Sequence, residues 1–118
     1  MKALIVDDNL INLKVAQRLL EHEGLEVETV MSGYECLARV KEISYDIIFM
    51  DIMMPEMDGV ETLNKLKEIN GFNIPVIALT ADAESWAKEK YIKLGFNAYI
   101  SKPIQIDLLK SIVKNINM

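Results

Sequence analysis

The chain has 118 residues, 51% of them hydrophobic, with a formal net charge of −5 and a pI near 4.9. That length fits one domain able to bury a core, and that apolar share excludes a disordered chain. The acidic balance argues against nucleic acid, whose phosphates demand a basic face, and no apolar stretch approaches the ~20 residues of a membrane span.

Strand-like runs alternate with helix-like segments five times. Strands are expected at residues 2–6, 26–30, 46–50, 75–79 and 98–101, and helices at about 10–23, 34–42, 58–69, 84–94 and 105–116. The first strand carries Ala3-Leu4-Ile5-Val6 and is followed by Asp7 and Asp8. The second, Glu26-Val27-Glu28-Thr29-Val30, alternates polar and apolar and suits a sheet edge. Ile47-Ile48-Phe49-Met50 of the third leads into Asp51, and Val76-Ile77-Ala78-Leu79 of the fourth into Thr80. The fifth, Ala98-Tyr99-Ile100-Ser101, leads into Lys102. Nearly continuous apolar runs suit strands covered on both faces, and the alternation suits a parallel sheet. Gly24 and Gly95 read as helix C-terminal stops, with Gly71 just beyond the third helix, and Asp58 reads as an N-cap. Cys36 is the only cysteine; it forms no intramolecular disulfide and reads as a small buried hydrophobe. No signal peptide leads the chain, and a cytoplasmic protein, or a cytoplasmic piece of a larger one, is expected.

Ligands of open α/β sheets bind beyond the carboxyl ends of the strands, where the winding direction reverses. Strand order 2-1-3-4-5, the known order of flavodoxin, puts that point between strands one and three. The expected fold is therefore a flavodoxin-like (βα)5 doubly wound sheet. Asp7, Asp8 and Asp51 then face one crevice, joined by a hydroxyl from Thr80 and an ammonium from Lys102. Such a set can hold a divalent cation and an anionic group together.

Five segments carry a family resemblance. Val6-Asp7-Asp8-Asn9, Tyr45-Asp46-Ile47-Ile48-Phe49-Met50-Asp51, Met54-Pro55-Glu56-Met57-Asp58-Gly59, Ala78-Leu79-Thr80-Ala81 and Tyr99-Ile100-Ser101-Lys102-Pro103 stand in order along the whole chain. Together they resemble the receiver domain of two-component response regulators, so residues 1–118 read as a single receiver domain. Asn9, Asn12 and the Ser101-Lys102-Pro103-Ile104 run look more like receivers of hybrid sensor histidine kinases than like DNA-binding regulators. The resemblance implies that a phosphoryl group moves from a phosphohistidine, on a kinase or a phosphotransfer protein, to Asp51, with Mg2+ required. The domain would catalyse only its own phosphorylation and dephosphorylation. It implies a metal ligand at the backbone carbonyl of Met53, a cis bond before Pro103, and a switch pairing Thr80 with Tyr99.

The chemistry agrees with that resemblance. A carboxylate attacking an anionic phosphoryl group needs a bridging cation. Magnesium takes oxygen ligands and keeps several waters, so Asp8 and Asp51, with Asp7 bound directly or through water, suffice. Lys102 would then neutralise phosphoryl charge and the Thr80 hydroxyl would donate to a phosphoryl oxygen.

Plainer roles compete with these. Asp8 or Asn9 could simply cap the first helix, Thr80 the fourth, and Lys102 could be a turn lysine. Tyr99 could simply cover core. None of these explains two adjacent acids plus Asp51. His22, alone and late in a helix, is not a phosphohistidine donor. On the first helix, Asn12, Val15, Ala16, Leu19 and Glu23 group on one side, and Leu10 and Leu13 on the other as a candidate patch for a partner helix. Trp86 is expected on the fourth helix beside an apolar side of Ala83, Ala87, Tyr91 and Leu94. A dimer through the fourth helix, fifth strand and fifth helix is a further expectation. Met53 and Asp82 occupy the positions that vary in the family and tune phosphate loss. An aspartyl-nucleophile phosphatase would need a covering cap, and a flavin module a phosphate loop where Asp7-Asp8-Asn9 would repel the phosphate.

Overall fold

A computed structural model describes residues 1–81, 84–102 and 104–116. Five parallel strands, β1 (Lys2–Val6), β2 (Glu26–Val30), β3 (Ile47–Asp51), β4 (Val76–Thr80) and β5 (Ala98–Ser101), pair in the order β2-β1-β3-β4-β5. Five helices alternate with them: α1 (Leu10–His22), α2 (Gly33–Glu42), α3 (Gly59–Lys67), α4 (Ala87–Leu94) and α5 (Ile106–Ile116). The expected order and alternation are both present.

Two apolar layers sandwich the sheet. On one face Leu4, Val6, Ile48, Met50, Val76 and Ala78 pack with Cys36 of α2, Leu63 and Leu66 of α3, and Ala87 and Tyr91 of α4. On the other, Ala3, Ile5, Ile47, Phe49, Ile77 and Leu79 pack with Leu13, Ala16 and Leu20 of α1 and Leu109 and Ile112 of α5. Alternate strand residues feed alternate layers, as the pleat requires. At the β2 edge, Glu28 accepts from Tyr45 Oη at 2.6 Å and Arg39 Nη1 at 2.9 Å and pairs with Lys2 Nζ at 3.1 Å, tying that edge to α2. Burial pushes the Cys36 thiol up to about 12.

Polar side chains start the first three helices. Asn9 accepts from the Asn12 amide at 3.0 Å, Ser32 from Glu35 at 3.1 Å, and Asp58 from Glu61 at 2.9 Å. Gly95 ends α4 at φ 111°, where a side chain would be strained.

Several expectations shift. β3 and β4 each run one residue later than expected, so Asp51 and Thr80 are the last residues of their strands rather than the first beyond them. The ladder explains this: Asp51 pairs with Leu79, and Thr80 with Ser101. α3 stops at Lys67, and α4 begins only at Ala87. Trp86 is therefore the residue before α4, half-exposed, with Lys90 Nζ 5.0 Å from its ring centroid. Ala83, Asp82 and Pro103, and with it the expected cis bond, lie outside the described residues.

The expected sides of α1 hold only in part: Ala16 and Leu19 face the core and Leu10 faces solvent, but Leu13 and Val15 exchange places. Leu13 is 2% exposed and lies in the core with Ala16 and Leu20, while Val15 is 51% exposed. Apolar residues occur on more than one side of α1, so periodicity alone did not decide which faces the sheet. Leu13 thus cannot form a docking patch. Leu10 stays exposed, and the apolar surface beside it is Ile11 and Val15.

Candidate functional site

Register brings the site together. Val6 pairs with Met50, so Asp7, next in the chain, stands level with Asp51 on the neighbouring strand. Thr80 lies one step further along β4, and the Lys102 amide donates to the Thr80 carbonyl at 2.7 Å, which carries Lys102 over the end of β4. The carboxylates of Asp7, Asp8 and Asp51 each offer an oxygen, all within 4.8 Å of one another. Asp7 and Asp51 are buried and Asp8 is exposed.

The buried acids are partnered. Asp7 Oδ1 accepts from the Asn9 amide at 2.9 Å. Lys102 Nζ donates to Asp7 Oδ2 at 3.1 Å and to Asp51 Oδ1 at 2.9 Å. Burial raises the Asp51 pKa to about 6; the Lys102 hydrogen bond opposes this and the Asp7 charge adds to it. Burial disfavours the Lys102 ammonium, but its bonds to Asp51 and Asp7 outweigh that and hold its pKa above the usual lysine value.

Two backbone devices in the β3–α3 connection shape the rim. Glu56 sits at φ 66°, and the Met57 amide donates to the Pro55 carbonyl at 2.8 Å, closing a tight γ-type turn. Gly59 donates its amide to Ile52 at 3.0 Å, and a Cβ there would stand 2.5 Å from the Asp51 carbonyl oxygen. The start of α3 can therefore press against the end of β3 only through a glycine. The Asp58-Gly59 pair marks the cap in the sequence, but nothing in it announces this approach.

Three oxygen donors, one open to solvent, suit magnesium, which prefers oxygen ligands and retains waters. Met53, expected to add its carbonyl, follows Asp51 by two residues and is 74% exposed. Leu79, Asn12, Val15, Ala16 and Ile104 line a cleft of about 180 Å³ that opens beside Asp7 and Lys102. Tyr99 is partly buried on the α4 side of the sheet, where its ring stacks on Tyr91. The structure thus brings Asp7, Asp8, Asp51 and Lys102 together, with Thr80 buried at the neighbouring strand end. The Tyr91 partner of Tyr99 was not foreseen, because ring stacking across elements leaves no mark on local spacing.

The chain belongs to the response regulator receiver domain family, whose model matches residues 3–114. It is 39% identical over 120 residues to the hybrid signal transduction histidine kinase L of Dictyostelium discoideum, covering 96% of this chain and 7% of that protein. It is 38% identical over 114 residues to the signal transduction histidine-protein kinase BarA of Escherichia coli (strain K12), covering 96% of this chain and 12% of that one. The chain thus spans only a small part of either relative. Among solved structures it is similar to the receiver domain of sensor histidine kinase PA1611 from Pseudomonas aeruginosa PAO1, described with a magnesium ion coordinated in its active site cleft. That match has TM-score 0.86 and 31% identity, covering 99% of this chain and 98% of that one. The Francisella response regulator 1452 receiver domain matches with TM-score 0.88 and 32% identity, covering 98% and 94%. No described helix is long and apolar enough to cross a membrane.

Proposed function

We propose that this chain is a phosphoacceptor signalling domain in which Asp51 takes a phosphoryl group from a phosphohistidine on a kinase or phosphotransfer protein. The observation that carries this reading is the cluster of Asp7, Asp8 and Asp51 with the Lys102 ammonium between two of them. An Asp51 carboxylate oxygen attacks phosphorus, an O–P bond forms, and the P–N bond to the donor imidazole breaks with its electron pair leaving on nitrogen. The product is an acyl phosphate that stays on the chain, so no separate substrate is turned over.

Asp7, Asp8, Asp51 and the Met53 carbonyl would hold magnesium, which supplies charge neutralisation between the two anions. Lys102 neutralises the transferred group, and the Thr80 hydroxyl donates to one of its oxygens. Withdrawal of Thr80 toward that group lets Tyr99 follow, a two-position switch. The exposed Leu10, with Ile11 and Val15, offers the donor an apolar surface beside the acids. Exposed Ile92 and Leu94 on α4 and Ile106 and Leu108 on α5 support self-association through the α4–β5–α5 face. A cytoplasmic location is part of this reading, since a phosphohistidine kinase draws its phosphoryl group from a nucleoside triphosphate.

The test is transfer of labelled phosphate from a phosphohistidine protein. Label should appear only with Mg2+ and should be lost in Asp51→Asn. Label at wild-type levels on Asp51→Asn would overturn the choice of nucleophile.

A further inference from the structure

Two of the three carboxylates assigned to the metal are already engaged by a cation of the chain itself. Lys102 Nζ stands 3.1 Å from Asp7 Oδ2 and 2.9 Å from Asp51 Oδ1, within bonding reach of both. These acids are almost fully buried, with side chains 3% and 4% exposed, so the charges are screened little by solvent. A divalent ion drawing on the same oxygens would meet the ammonium at close range, and like charges repel strongly at such a place.

We propose that Lys102 competes with the metal. Its ammonium holds Asp7 and Asp51 in an ion pair that a divalent cation must break on entry, so this lysine sets the affinity of the site for magnesium. The inference rests on the phosphoacceptor reading of the same site. The motion required is small. The Lys102 main chain is tied to Thr80 by its 2.7 Å bond, so only the side chain has to move. Its flexible four-carbon stem, 23% exposed, gives the ammonium a path toward solvent. A phosphoryl group on Asp51 offers the displaced ammonium a new partner. Metal and phosphoryl group therefore bind with positive cooperativity, because each favours the position of Lys102 that the other needs.

Calorimetric titration of magnesium chloride into purified, chelator-treated protein tests this. Lys102→Met and Lys102→Gln should each bind Mg2+ at least about fivefold more tightly than wild type, the lower end of measured couplings between sites. Lys14→Met, which removes an equal charge from the exposed side of α1, should change affinity by less than about twofold, since distant exposed charges are screened. Circular dichroism in chelator checks that each variant is folded. As a second readout, the gap between metal-free and metal-saturated melting temperatures should widen in both Lys102 variants, because tighter binding to the native state stabilises it more. Equal or weaker Mg2+ binding by both Lys102 variants, with wild type binding normally, overturns the competition. No heat of binding from folded wild type overturns the metal site itself, and the inference falls with it.

Discussion

Tyr91 of α4 and Tyr99 of β5 stack with ring centroids 5.9 Å apart and planes 15° from parallel. Phe96, in the loop between them, meets Tyr91 edge-on at 6.1 Å. The residue proposed as the switch is thus held against α4. Aromatic pairs add about 0.5–1.5 kcal/mol beyond their buried area. A double-mutant cycle of Tyr91→Leu and Tyr99→Leu in urea should return a coupling of about that size, and strict additivity would mean the rings merely share space.

Gly59 should tolerate no side chain. Gly59→Ala would set a methyl 2.5 Å from the Asp51 carbonyl oxygen and 2.9 Å from Ile52 Cα, both backbone atoms. Overpacking of this kind costs about 1–3 kcal/mol. The end of β3 must shift to relieve it, so labelling of Asp51 should fall along with the melting temperature. A variant as stable and as readily labelled as wild type would show that the α3 start moves freely.

The raised Asp51 pKa has a definite sign in stability. Its folded value, about 6, lies above the ordinary 3.8, so between these values the native state binds more protons than the unfolded chain. Stability of the metal-free protein therefore falls as pH rises through that window. The penalty is complete above about pH 6 and vanishes below about pH 4. Lys102 stays protonated throughout and contributes nothing to this slope. Asp51→Asn should abolish the penalty, so metal-free Asp51→Asn should melt above wild type at pH 7, with the gap closing toward pH 4. Parallel melting curves for the two proteins would refute it.

On α1 the two leucines should behave oppositely. Leu13→Ala opens a cavity in the core and should cost about 2–5 kcal/mol in chemical denaturation. Leu10→Glu, on a residue 53% exposed, should stay within about 0.5 kcal/mol of wild type. It should nevertheless slow phosphotransfer from a protein donor while sparing labelling by a small phosphoramidate. Equal slowing with both donors would place Leu10 in the pocket rather than on a docking surface.

The sequence revealed the fold where it is most regular. Continuous apolar runs marked the central strands, alternation in Glu26–Val30 marked an edge, and Asp58 marked a cap. The acids were legible because carboxylates at strand ends are chemically costly and so informative. Boundaries were less so: hydrogen-bond register, not side-chain character, made Asp51 and Thr80 the last ladder residues. The facing of α1 is legible only in part, because apolar residues lie around more than one side of it. Lys102 was expected to meet a phosphoryl group, and the pairing with both acids followed only from distances across strands.

Cys36 lies at 0% exposure on the inner face of α2, packed against the sheet, and burial lifts its thiol to about 12. A thiol so held is a poor nucleophile toward alkylating reagents until the layer above it opens. Because the chain has no other cysteine, the rate of its modification would time that opening directly, at one known place. Mg2+ and phosphorylation act at the carboxyl ends of the strands, the edge from which α2 also starts, so any slowing they cause would measure how far their stabilising effect spreads across that edge from β1 and β3 to α2.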